Sequence, residues 1–303
     1  MPTLPDIAVD VQTMAISNFA TEVLADGPIG YWRLGEALGS VVASDASGNG
    51  NSGSSSGAIS FGQPGFHCGD TAALFDGTTG RIIVPNSNSL NPPHITMEAK
   101  VRWDGPNGLY QRILEKSSFA ELAQYGFGIL PDGHVRVELR TSSATTSVNV
   151  DSVGVASQGV ETHIVATYDG DVIRVYLNGI LDSETRAPGS ISPKPPTPLN
   201  LTESGVGIGN QTQRDRGFKG LIDELALYPT ALSAERVLAH YQARFAQRLG
   251  FGNLIDGQHL IWIADFTGTG HAQVMVYYAG DGNWWLGDMV GGQLQWSLVS
   301  QTC

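Results

Sequence analysis

Two cysteines in 303 residues, Cys68 and Cys303, are too few for a disulfide framework and lack the clustered spacing of a zinc site. A single bridge between them stays open. Charge is also scarce, at 15% of residues against roughly 25% in an average soluble protein. Basic residues are the scarcer sign, 17 Lys plus Arg against 29 Asp plus Glu, and the net charge of −12 repels phosphate backbones and anionic lipid. No nucleic-acid partner is expected. No apolar run approaches the roughly 18 residues of a membrane span, and no Lys or Arg precedes Arg33, so neither a spanning helix nor a signal peptide with a basic start is expected.

Familiar catalytic patterns are missing too. The seven histidines show no HExxH or paired ligand spacing, and no serine lies in a G-x-S-x-G elbow. Gly205-Val-Gly207-Ile-Gly209 lacks the last glycine of a dinucleotide loop and reads instead as a small-residue strand. Asp223 and Glu224 are adjacent, which on a regular strand sends them to opposite faces. Glu115, Glu121 and Glu138 remain as carboxylates that separate strands can bring together, although a solvated sheet face accounts for them equally well.

What is abundant is glycine, 38 residues or about twice the usual share. From Tyr31 to Tyr228 short runs of alternating or apolar residues are punctuated by turn signals. Examples are Thr96-Met-Glu-Ala-Lys-Val-Arg-Trp103, His134-Val-Arg-Val-Glu-Leu-Arg140 and Val172-Ile-Arg-Val-Tyr-Leu177, with turns at Pro131-Asp-Gly133, Asp169-Gly170 and Asn178-Gly179. In the second run Val135, Val137 and Leu139 share the core face, while Arg136, Glu138 and Arg140 share the outer one. The pattern predicts an all-β, two-sheet antiparallel sandwich. Trp32 and Trp103 are expected in its core.

Three segments follow from this reading. Residues 1–16, with two early prolines, form an N-terminal arm. Residues 17–249 form the sandwich with short flanking helices. One helix runs to Ala25 from a Ser17 cap, and another runs from Ser233 to about Gln247 with Val237, Leu238, Tyr241 and Phe245 on one face. Residues 250–303, rich in Trp and Gly, form a small C-terminal β-repeat. Ser192-Pro-Lys-Pro-Pro-Thr-Pro198 is an exposed, stiff loop.

Several motifs carry a family resemblance. Gly30-Tyr-Trp-Arg-Leu-Gly-Glu36, Asp45-Ala-Ser-Gly-Asn-Gly-Asn51, Leu74-Phe-Asp-Gly77, Val165-Ala-Thr-Tyr-Asp169, Val175-Tyr-Leu-Asn-Gly179 and Phe218-Lys-Gly-Leu-Ile-Asp-Glu-Leu-Ala-Leu-Tyr228 occur in the order found in the laminin-G-like, concanavalin-A-like jelly-roll family, which the chain resembles from about Ala20 to Arg244. The resemblance implies two curved sheets, often a structural calcium, and frequently carbohydrate or adhesive binding. Ile263-Ala-Asp-Phe-Thr-Gly-Thr-Gly270, Val274-Met-Val-Tyr-Tyr278 and Asn283-Trp-Trp-Leu-Gly287 resemble one copy of an FG-GAP/VCBS-type repeat, whose aromatic residues Trp262, Tyr277, Tyr278, Trp284, Trp285 and Trp296 need a covering surface. The opening from Phe19 to Glu36 is similar to the start of such domains in bacteriophage tail and structural proteins.

Calcium is the expected cofactor. The Gly-bent loop offers Asp45, Asn49 and Asn51, and the resemblance brings Asp223 near them. Sugar recognition needs an aromatic face and planar polar groups, for which the candidates on loops or outward strand positions are Tyr110, Arg112, Lys116, Tyr125, Arg136, Glu138, Asn210 and Arg214. The expected function is a non-enzymatic carbohydrate-binding or adhesion component, on a virion or extracellular. Its partners are a cell-surface glycan or polysaccharide and other virion subunits, and homo-oligomers are expected. The alternatives are a purely structural virion decoration or cement protein and a glycoside-processing enzyme.

Overall fold

The computed structural model describes residues 19–66, 70–117, 124–141, 147–187, 205–212 and 216–246, and four strands beyond them. The expected arm, Cys68, Cys303, Arg214, Glu121, the proline-rich loop and the segment Asp265 to Gly270 lie outside these residues.

Helix α1 (Phe19–Ala25) leads into β1 (Gly30–Trp32), β2 (Val42–Ala43), β3 (Gly53–Ser56), β4 (Ile59–Pro64), β5 (Thr71–Asp76), β6 (Arg81–Val84) and β7 (Ile95–Trp103). There follow β8 (Gln111–Lys116), β9 (Tyr125–Ile129), β10 (His134–Leu139), β11 (Val148–Val155), β12 (Glu161–Tyr168), β13 (Val172–Leu177), β14 (Ile180–Arg186), β15 (Val206–Ile208), β16 (Lys219–Tyr228) and α2 (Ala234–Ala246). One antiparallel sheet has the order β14-β13-β12-β7-β16-β5-β4, with β1 also on β16; the other has the order β11-β10-β9-β8-β15-β6-β3-β2. Long crossovers therefore join strands that are neighbours in space but distant in sequence, which makes this a jelly-roll sandwich.

The inner rows of both sheets interdigitate as one core. Ile95, Met97, Ala99, Val101 and Trp103 of β7 meet Val135, Val137 and Leu139 of β10 in it, as the alternation requires, and Trp32 is buried with them. At Asn178 (φ 52°) and Gly179 (φ 81°) the left-handed backbone of a two-residue hairpin joins β13 to β14.

The outer face of the β7-containing sheet is covered as well. Phe19 and Val23 of α1 and Val237 and Ala243 of α2 pack on Tyr31, Val165, Ala226 and Tyr228 as a second, smaller core. Ser233 accepts the amide of Arg236 through Oγ (3.3 Å), capping α2 as the sequence predicts. The buried face of α2 differs from the expected one: Leu238 is exposed, and His240 points inward at 0% exposure. Its imidazole is accepted because a carboxylate waits beneath it.

Strands β17 (His259–Ala264), β18 (Gln273–Tyr278), β19 (Asn283–Val290) and β20 (Gln293–Ser300) form a four-stranded antiparallel meander. Here Trp285 is buried and Trp284 and Trp296 are half-buried. Gly287 pairs with Trp296, and a Cβ at 287 would lie 2.9 Å from the indole.

Candidate functional site

The outer face of the second sheet gathers charge around a glycine floor. Tyr125, Phe127 and Ile129 of β9 point into the core, so Gly126 and Gly128 point out. In register, Gly128 lies between Arg112 of β8 and Arg136 of β10, and Gly126 lies between Glu115 and Glu138. The two glycines leave a shallow trench across which long side chains from β8 and β10 reach each other. Arg112 pairs through Nε with Glu115 (2.5 Å) and through Nη1 with Glu138 across the floor. Its guanidinium also stacks on Tyr110, 3.8 Å from the ring centroid, and Tyr110 donates its hydroxyl to the Arg136 carbonyl (2.8 Å). Arg136 in turn makes a two-pronged contact with Asp151 of β11, with both bonds at 2.7 Å.

A bulge in β8 makes this possible. The register shifts between Arg112 and Leu114, so that Ile113 and Leu114 both enter the core and Arg112 and Glu115, three residues apart, share the outer side. Gln211 completes the cluster, donating Nε2 to both oxygens of Glu115 at 2.8 and 2.9 Å, while its buried Oε1 has no partner among the described residues. Burial raises the Tyr110 phenol, and it holds the hydroxyl as a donor. Arg112 joins both glutamates in ion pairs, an arrangement unlike that of a glycosidase, whose carboxyl pair flanks the scissile bond with substrate between them.

Four of the eight sugar-contact candidates, Tyr110, Arg112, Arg136 and Glu138, thus meet at one place. Three do not. Tyr125 is a core residue, its hydroxyl donating to the Leu90 carbonyl (3.0 Å), because its strand presents glycines outward instead. Lys116 is buried against Asn86, and burial lowers its ammonium to about 8. Asn210 shapes its own loop, accepting the amides of Gln211 and Arg216 and donating to the Thr78 carbonyl. Gln211 and Asp151 were not singled out from the sequence. Asp151 lies two residues from Asn149 on an alternating strand, a weak signal that only the register with Arg136 makes specific.

The four expected calcium ligands are not gathered either. Asp45 Oδ1 accepts the amides of Tyr31 (3.0 Å) and Ser47 (2.9 Å), and Oδ2 accepts that of Asn51 (2.8 Å). Asn51 donates to the Ile29 carbonyl and accepts from Ser87, while Asn49 donates to the Pro28 carbonyl. Asp45 and Asn51 thus have their side-chain oxygens engaged by neighbouring amides and by the Ser87 hydroxyl. Asp223 stands elsewhere, beside Asp70 and Glu224.

Comparison with known families gives the frame. A family model described as the concanavalin A-like lectin/glucanases superfamily matches residues 76–238. The chain belongs to this superfamily. Among solved structures, domain 4 of AbnA, a GH43 extracellular arabinanase from Geobacillus stearothermophilus, in complex with arabinotriose, superposes with TM-score 0.53 at 18% identity, covering 71% of this chain and 98% of that one. The binding domain of Paraclostridial Mosquitocidal Protein 1 gives 0.57 at 14% identity, covering 91% and 68%. A Trypanosoma rangeli sialidase mutant displaying trans-sialidase activity gives 0.52 at 15% identity, with 74% of this chain spanning only 34% of the sialidase. At these identities the three structures show a shared fold and no more. No curated protein matches the chain. No helix among the described residues is long and apolar enough to cross a membrane.

Proposed function

We propose that this protein is a non-catalytic carbohydrate-binding module and that the glycine-floored trench is where it meets sugar. The observation that carries the reading is the row Arg112, Gly128, Arg136, Asp151 beside the row Glu115, Gly126, Glu138. It places planar, preorganised hydrogen-bonding groups on both sides of a strip without side chains. Arg136 and Asp151 are the more accessible members, and Tyr110 and Arg112 hold Arg136 and Glu138 in place. The arabinanase domain seen with arabinotriose supports a sugar-binding use of the same fold.

The proposed setting is extracellular, on a virion or similar particle whose subunits are its neighbours, in keeping with the phage-like opening from Phe19 to Glu36. Copies held together there turn a weak single site into useful avidity. The test is a glycan array followed by calorimetric titration of the hits. Specific binding that Arg136→Ala weakens at least tenfold supports the proposal. Silence across the array favours the architectural alternative, consistent with how fully Arg112 and Glu115 are already paired. Release of reducing sugar from a polysaccharide panel, abolished by Glu115→Gln or Glu138→Gln, would establish an enzyme instead.

A further inference from the structure

A hydroxyl both donates and accepts hydrogen bonds, whereas a carboxylate only accepts. The partners that already hold the guanidiniums of the trench therefore decide which sugars fit it. Arg136 and Asp151 stand directly opposite each other in the register of β10 and β11. Nε and Nη2 of Arg136 meet Oδ1 and Oδ2 of Asp151, both at 2.7 Å, so the planar fork that would grip a ligand's carboxylate is filled by one of the protein's own. Arg112 has no fork to spare either, because it is buried and divided between Glu115 and Glu138.

Asp151 differs from the two glutamates in its accessibility. Its side chain is 40% exposed, against 2% for Glu115 and 17% for Glu138. The hydrogen bond from Arg136 holds its carboxyl below the ordinary carboxylate value, so it is charged at neutral pH. A guanidinium that spends two of its roughly five N–H donors, and a carboxylate that spends about half its acceptor sites, still offer donors and acceptors side by side to hydroxyls. To a ligand carboxylate the same pair is hostile. The ligand must evict Asp151 from a partner preassembled on the adjacent strand, and the evicted group then stays close by as a like charge. The net charge of −12 adds a long-range penalty for any anionic glycan.

Building on the assignment of the trench to sugar, on which this step rests, we infer that Asp151 is a specificity-determining residue: by occupying the Arg136 fork it reserves the site for neutral glycans and turns away uronic and sialic acids. Its side chain hydrogen-bonds Arg136 alone among the described residues, so it can be replaced without dismantling the sheet.

The test is an array of matched pairs probed with the full chain at pH 7 and low salt. The pairs are glucan, galactan and mannan oligosaccharides and the same chains with their primary hydroxyls oxidised to carboxylates, together with lactose and its sialylated form. Wild type should bind neutral members at least tenfold more tightly than their acidic counterparts. Asp151→Ala, which bares the fork, should shrink that ratio by tenfold or more through a gain on the acidic members, and the gain should fade as salt is raised. Adding Arg136→Ala to Asp151→Ala should abolish the gain, which a merely structural role for Asp151 does not predict. Asp151→Asn removes the charge but keeps an acceptor, and should fall between. Circular dichroism of each variant should match wild type, because the pair is partly solvated. Neutral binding with a ratio that Asp151→Ala leaves unchanged would overturn the proposal and leave the sugar-binding reading standing. Equal or tighter binding of the acidic members by wild type would do the same. Silence on every pair would end both.

Discussion

The imidazole of His240 on α2 stands 3.0 Å from the carboxylate of Glu98 on β7, and through it a helix is fastened to the outer face of the sandwich. Glu98 also takes His163 Nε2 (2.7 Å) and the Tyr228 hydroxyl (2.6 Å), and the far nitrogen of His240 meets Asp26 just past α1 (2.9 Å). Arg236 of α2 joins Asp26 and Glu22, so both helices and three strands share one polar knot.

Removing the centre of that knot should be severe. Glu98→Ala leaves His163 Nε2, His240 Nδ1 and the Tyr228 hydroxyl without the acceptor they share, and a loss of about 3–5 kcal/mol is expected in chemical denaturation. Glu98→Gln, which keeps one acceptor oxygen, should cost less. A change below about 1 kcal/mol for the alanine variant would mean that α1 and α2 are not docked as described.

The two histidines should respond to pH with opposite signs. Burial would lower His240, but the charge and hydrogen bond of Glu98, with Asp26 behind, outweigh it and raise its pKa. Its stabilisation is therefore fully present below the unfolded value of about 6.5 and is lost as pH rises through the folded value. Burial lowers His163 despite its bond to Glu98, so its penalty grows as pH falls below that same unfolded value. His240→Gln should thus cost more at pH 6 than at pH 9, and His163→Gln less at pH 5 than at pH 8. Denaturation curves across that range check both slopes, and parallel slopes would contradict the assignment.

Gly128→Ala should damage the trench and the sheet together. A Cβ at this position would lie 2.0 Å from the Gln111 carbonyl oxygen, so β8 and β9 must separate. A loss of about 1–3 kcal/mol or more is expected, measured by the urea midpoint. A neutral result would show that the floor has room.

Arg136→Ala should separate binding from folding. Its pair with Asp151 is partly solvated, so stability should change by less than about 1 kcal/mol, while glycan affinity falls. Asp45→Asn should do the reverse. It weakens acceptance of three backbone amides and costs about 1–3 kcal/mol with or without calcium, which comparison of melts in chelator and in calcium would show.

Alternation and turn chemistry in the sequence were enough to determine the sandwich. Val135, Val137 and Leu139 had to face one way because side chains on a strand alternate, and Asn178-Gly179 had to turn because its residues tolerate positive φ. Local pattern also gave the outward placing of Arg136 and Glu138 and the core placing of Trp32 and Trp103. What local pattern does not contain is which outer row stays in water. Glu98 and Lys100 alternate with apolar residues just as Arg136 and Glu138 do, yet they are buried because two helices, one before and one after the strands of the sandwich, close over them. Nor does it contain the bulges of β8 and β16. These carried Arg112 and Glu115 to one side of β8, and they turned Asp223 and Glu224 the same way where adjacent residues were expected to diverge. A strand slips where its neighbours change, and those neighbours are distant in sequence.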